Sequence, residues 1–167
     1  VLSGQLQRAY FSALPDLANN LVPNLGRLYN EASARGSALV LGLVRASDDG
    51  SNYFNSVAAL GAEGVGWYDK HHLVPFAEFF PVPKFVRRWL RLMSLPYSDF
   101  TPGPAVQPPL NAAGLSLAAG VCYEDAYGST LARALPRADA LVNVTNDAWF
   151  GHSTARYQHF QIARMRA

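Results

Sequence analysis

The chain has 167 residues, half of them hydrophobic and 16% charged, with a formal net charge of +2; this is the size of one ordinary domain with enough apolar side chains for a core, which excludes a largely disordered chain. So mild a charge, with no long basic run and no zinc-finger spacing, argues against nucleic acid as a partner. The single cysteine, Cys122, rules out an internal disulfide and an all-cysteine metal site, and no apolar run approaches the roughly 18 to 20 residues that cross a bilayer.

The opening residues, VLSGQLQRAY, lack the basic-then-apolar layout of a secretory signal. The chain starts without methionine and stops at QIARMRA inside a helical pattern, so both ends are expected to be cut. From Asp16 to Ala34, Leu17, Leu21, Leu25, Leu28 and Tyr29 recur at helical spacing and Gly36 supplies a stop signal, which predicts a surface helix with one buried face. The continuous apolar run SALVLGLVR (Ser37 to Arg45) predicts a strand covered on both faces. After the turn residues DDGSN, the segments YFNSVAAL (Tyr53 to Leu60) and GVGWYDK (Gly64 to Lys70) pair as a hairpin around GAEG.

Residues 74–109 hold eight of the eleven prolines and much of the aromatic content, which predicts an elaborated loop region. Inside it, VPKFVRRWLRLM (Val82 to Met93) places Val82, Phe85, Val86, Trp89 and Met93 on one helical face and Lys84, Arg87, Arg88 and Arg91 largely on the other. Two placements satisfy that pattern: a membrane interface, or packing on the domain's own surface. Next come a strand running into a turn (Leu115 to Asp125), a short helix (Ser129 to Leu135), a buried strand within Ala138 to Asp147 and a final helix from Thr154. Strands alternating with helices, with a hairpin between, predict an α/β layered sandwich.

Cys122 follows a buried strand directly and precedes Tyr123, Glu124 and Asp125, where the chain turns from apolar to charged. A nucleophile gains from that placement, because the strand fixes it while the turn exposes it and offers backbone N–H groups to an oxyanion. A buried structural thiol is the plainer reading. Lys70 ends another strand, where it could stabilise a thiolate and an oxyanion or simply be solvated. Glu78, in PFAEFFP, is flanked by apolar residues that would raise a carboxyl pKa toward general acid–base range, unless it points to water. His71, His72, His152 and His159 make no recognised metal-ligand spacing, and an adjacent pair in a strand would face opposite ways. NDAWFG (Asn146 to Gly151) could wall a pocket beside the cysteine or form a plain strand-to-helix corner.

Three stretches in this order, YDKHHLVPFAEFFP, GVCYED and LVNVTNDAWFGHSTARYQHFQIARMRA, resemble the nitrilase-like (carbon–nitrogen hydrolase) domain of the bacterial apolipoprotein N-acyltransferases from about Leu14 onward. The resemblance implies an α-β-β-α layered sandwich, incomplete here, over residues 14–167, with 74–109 as a lipid-facing arm that includes Phe79, Phe80, Phe85 and Trp89. It implies Cys122 as a nucleophile that forms a thioester, Lys70 as the lysine of a Glu-Lys-Cys triad, Glu78 as an additional essential glutamate, and Tyr123 and Glu124 as supporting residues. Asn146, Trp149 and Phe150 would support the substrate site. It further implies a phospholipid acyl donor, a lipoprotein acceptor, a membrane surface at the periplasmic face of the bacterial inner membrane, and neither cofactor nor metal.

The pattern is broken at one place. The triad's general base normally precedes an ALP ending, and here Phe11 of YFSALP stands where the glutamate is expected, with residues 1–13 reading as unrelated to the family. Loss of a general base costs about a hundred-fold to ten-thousand-fold in rate, so an inactive form of the chain is an expectation beside the active one. A carbon–nitrogen hydrolase acting on small amides with the same triad, and a non-catalytic remnant, are the alternatives left open.

Overall fold

The computed structural model describes residues 15–82 and 100–166. Phe11 and the amphipathic segment after Val82, with Phe85 and Trp89, lie outside the described residues. In chain order the elements are α1 (Pro15–Ala34), β1 (Leu39–Ala46), β2 (Tyr53–Gly61), β3 (Gly64–Asp69), β4 (Leu110–Ala112), β5 (Leu115–Val121), α2 (Gly128–Ala134), β6 (Ala140–Val144) and α3 (Ala155–Arg164), with 3-10 turns at Cys122–Ala126, Leu135–Arg137 and Asp147–Phe150.

Local chemistry explains the boundaries. Helix α1 ends where Gly36 adopts φ 67°, letting the Gly36 N–H reach the Ser33 carbonyl at 3.0 Å and the Ser37 N–H reach the Ala32 carbonyl at 2.8 Å, the paired bonds of a Schellman cap. Strands β2 and β3 form the expected hairpin, with Gly61 opposite Gly64. A second hairpin joins β4 to β5 through Ala113 (φ 52°) and Gly114 (φ 80°), two consecutive positive φ values as in a tight primed turn. The short strand β4 was not foreseen, since its three residues emerge directly from the proline-rich loop.

Strands β1, β2 and β3 make one antiparallel sheet in that order, while β4, β5 and β6 make a second, with β5 and β6 parallel and α2 in the crossover between them. Side chains alternate across each strand. Val57 and Ala59 of β2 face Leu110, Ala112, Ala119 and Val121 of the second sheet. Ala58 and Leu60 turn outward with Leu43 to meet Leu25 and Tyr29 of α1. Leu28 of the same helix is 46% exposed, so the buried stripe of α1 is narrower than its leucine spacing predicts. Behind the second sheet, Gly120 faces Leu131 of α2, and α3 packs on the turn after β5. The layers run helix, sheet, sheet, helix, as expected.

The end of β3 is pinned with particular density. Asp69, 6% exposed, receives Ser56 Oγ at 2.7 Å and both Nε and Nη2 of Arg45, whose guanidinium lies over the Phe54 and Trp67 rings. The Asp69 backbone exchanges two bonds with the Gln107 amide. Gly103 passes so close that a Cβ there would sit 2.2 Å from the Asp69 carbonyl oxygen. The backbone cannot yield cheaply at a residue held this way. Gly103→Ala is expected to lower the free energy of unfolding by about 1–3 kcal/mol, measured by urea denaturation; an unchanged midpoint would contradict this packing.

Candidate active site

Strands β3 and β5 deliver Lys70 and Cys122 one residue past their ends. Lys70 is not solvated: it is 1% exposed, and its Nζ lies 2.7 Å from Glu78 Oε2. Its backbone N–H donates to the Asn55 carbonyl at 2.7 Å and its carbonyl accepts from the Gly103 N–H at 2.8 Å, which fixes the start of the side chain.

Glu78 does not point to water, and its apolar sequence neighbours are not what its carboxylate meets. Besides Lys70, it accepts from Asn55 Nδ2 at 2.7 Å and from the Val74 N–H at 2.8 Å. The loop that carries it is folded back on itself, with the Phe76 N–H donating to the Phe79 carbonyl and the Phe100 N–H to the Glu78 carbonyl. Phe79 and Phe80 are half-buried. Among the described residues of this loop the most exposed aromatic is Phe76, 67% exposed and edge-on to Phe80, which the sequence reading passed over although it lies in the same motif.

Cys122 opens a 3-10 turn with φ 52°. A non-glycine residue in the left-handed region costs on the order of 1 kcal/mol and persists only where its surroundings hold it. Glu124, two residues on and 2% exposed, does part of the holding. Its Oε2 accepts the Val121 N–H at 2.9 Å, its Oε1 accepts the His71 and His72 N–H groups at 2.9 and 3.0 Å, and the Tyr68 hydroxyl donates to both oxygens. One carboxylate therefore joins the residues that follow Lys70 to the residue that precedes Cys122. Burial, and then the Glu124 charge, push the Tyr68 phenol far above its ordinary pKa, so it remains a donor. Burial and the neighbouring His71 hold His72 below its usual value against the opposing pull of Glu124; its ring stacks on Tyr127 at 4.0 Å. The two histidines occupy a bend and meet edge-on at 4.7 Å, and so do not face opposite ways as a strand would make them.

The remaining expected residues are more peripheral. Tyr123 is 50% exposed and edge-on to Tyr127. Asn146 caps the 3-10 turn Asp147–Phe150, accepting the Ala148 N–H at 3.1 Å, and Phe150 is 37% exposed. Trp149 belongs to that same turn. Sequence reading missed Asn55, Tyr68 and Asn143, which act through bonds between residues far apart in the chain. It weighed His159 only as a metal ligand, whereas the ring lies 2.9 Å from Asp147 Oδ1 and 3.2 Å from both the Cys122 carbonyl and Asp125 Oδ2.

Two outcomes follow from this network. Glu124→Gln would turn an amide NH2 toward N–H donors, so it is expected to cost about 2–4 kcal/mol in urea denaturation. Desolvation lowers the His159 pKa, but the bonds to Asp147 and the Cys122 carbonyl and the charges of Asp125 and Asp147 outweigh it and raise the net value. Its contribution to stability is thus complete below about pH 6.5, the unfolded value, and is lost as pH rises through the folded value. Stability of the wild type should fall over that rise, and His159→Gln should flatten the dependence.

Comparisons with known proteins bear on the fold and the family. The model of the carbon–nitrogen hydrolase family matches residues 6–167. Apolipoprotein N-acyltransferases are similar: that of Chromobacterium violaceum is 45% identical over 93% of this chain and 30% of its own length. Those of Methylococcus capsulatus (45% identical, 86% and 28%) and Pseudomonas aeruginosa (40%, 92% and 30%) follow the same pattern. The chain spans about 30% of the length of these curated relatives. A crystal structure of a carbon–nitrogen hydrolase from Helicobacter pylori superposes with a TM-score of 0.55 at 20% identity, covering 90% of this chain and 49% of that one, which bears on the fold alone. By the extent of the family match and the shared layers, the chain belongs to the carbon–nitrogen hydrolase family.

Proposed function

We propose that the chain carries the acyl-transfer site of an N-acyltransferase acting on lipoproteins. The observation that carries this reading is the buried Lys70–Glu78 ion pair, tied through Glu124 to the turn that presents Cys122. Relatives at about 40–45% identity bear the apolipoprotein N-acyltransferase name, which supports the substrate class.

In the first half-reaction the Cys122 thiolate attacks a phospholipid ester carbonyl. A C–S bond forms, the C–O bond breaks, and the lysophospholipid oxygen leaves as the alcohol with the proton that the Cys122 thiol gave up on becoming the thiolate. The Lys70 ammonium, held by Glu78, supplies positive charge to the tetrahedral oxyanion. In the second half-reaction the N-terminal amine of a diacylglyceryl lipoprotein attacks the thioester, giving an amide and returning the thiol. Phe76, Phe79 and Phe80, with Phe85 and Trp89 farther along the arm, would meet acyl chains at the periplasmic face of the bacterial inner membrane. Among the described residues no helix is long and apolar enough to cross a membrane. With Phe11 at the expected position of the general base, the first half-reaction is slowed about a hundred-fold to ten-thousand-fold.

Incubation with phosphatidylethanolamine vesicles followed by intact-mass measurement tests the reading. A gain of one fatty acyl group, released by hydroxylamine and absent in Cys122→Ser, is the expected result. Lys70→Ala should slow the adduct's formation about a hundred-fold or more. A folded chain acylated equally in Cys122→Ser would sink the assignment of the nucleophile.

A further inference from the structure

Helix α3 closes on the cysteine turn through side chains that the proposed chemistry leaves unused. His159 is 7% exposed, and each of its two ring nitrogens has an oxygen within 3.2 Å. Nδ1 lies 2.9 Å from Asp147 Oδ1 on the turn after β6, and Nε2 lies 3.2 Å from the Cys122 carbonyl oxygen and 3.2 Å from Asp125 Oδ2 on the turn after β5. The Asp147 and Cys122 oxygens are acceptors, so both nitrogens must carry a proton for those two contacts to be hydrogen bonds; Asp125 Oδ2, buried without a hydrogen bond of its own, meets the ring as an ion-pair partner only.

The other charged groups nearby are already engaged. Glu124 spends its oxygens on Tyr68 and on the N–H groups of His71, His72 and Val121. Arg166, just beyond α3, donates to the Asp125 and Ala126 carbonyls at 2.8 and 3.0 Å. Asn143 of β6 gives the Cys122 carbonyl a second donor at 2.8 Å. With two carboxylates around one cation, the cluster brings no net positive charge to the thiol. What it supplies is position: the Cys122–Tyr123 peptide is trans, so holding its carbonyl against His159 and Asn143 sends the Tyr123 N–H the opposite way.

We infer that His159 is a positioning residue for Cys122: as an imidazolium it bridges Asp147 and Asp125 to the Cys122 carbonyl and locks the left-handed turn that presents the thiol. The inference rests on Cys122 being the nucleophile. Loss of the ring proton would leave one nitrogen lone pair facing an oxygen lone pair, and the turn would lose a restraint. Presentation of the thiol therefore has an alkaline limit separate from ionisation of the thiol itself.

The test uses the full chain labelled with 13C and 15N, with the His159 ring signals assigned in the wild type from their through-bond correlations to the His159 backbone. Near neutral pH both His159 ring nitrogens are expected to show the shifts of a protonated imidazolium; a neutral tautomer with one bare nitrogen would overturn the inference. Alkylation of Cys122 by iodoacetamide is then followed against pH. After correction for the thiolate fraction, the wild-type rate should change about ten-fold over the pH range in which the NMR signal of His159 titrates, and His159→Gln should lack that change. A rate that ignores the His159 titration would overturn the inference, and this wild-type comparison stands even where the variant does not fold. Vesicle acylation separates the two readings: the pH step without any acyl adduct defeats the acyl-transfer proposal alone, whereas an adduct without the pH step defeats the positioning role alone.

Discussion

The site depends on one buried carboxylate. Glu124 sits 2% exposed between the ends of two strands that belong to different sheets, and an ionised group in that position would cost several kcal/mol if left without partners. Three backbone N–H groups and the Tyr68 hydroxyl offset that cost, each bond to a charged acceptor contributing roughly 1.5–3 kcal/mol. Because those donors come from residues 71 and 72 on one side and 121 on the other, satisfying the charge and holding the end of β3 against the end of β5 are one and the same requirement.

The same logic governs the charges around Lys70 and Asp69, whereas the buried Asp125 carboxylate has the His159 ring as an ion-pair partner and no hydrogen bond. Lys70 and Glu78 neutralise each other, with Asn55 and the Val74 N–H filling the remaining acceptor sites of the carboxylate. Asp69 has Arg45 and Ser56, and Arg45 in turn has two aromatic faces. Such pairs contribute little net stability against apolar replacements of equal volume, but each is badly destabilised when one partner alone is removed. Their effect is positional: a charge with several directed partners has one place to sit, which an apolar side chain does not.

Small residues make room for this crowding. Gly42 faces Val144 and Gly66 faces Leu110 across the sheet interface, and larger side chains at either position would press on the opposite strand. Alanines at 58, 59, 118 and 119 keep the centres of β2 and β5 thin. The sheets approach closely enough for a side chain of one turn to bond the backbone of the other.

Periodicity and turn chemistry by themselves determined most of the elements. The leucine spacing of α1, the glycines around the β2–β3 turn and the apolar runs of β1, β5 and β6 each express a local preference that the structure keeps. The motif order, with a lysine and a cysteine each ending a strand, determined the family and the candidate nucleophile. Sequence alone could not say that Lys70 is buried against Glu78, that Glu124 is a junction between loops fifty residues apart, or that His159 meets carboxylates and a carbonyl where a metal reading would have put an ion. Those facts are long-range: a polar side chain has no periodic signature, and its partners are decided only when the two sheets stack and bring distant donors within about 3 Å of its oxygens.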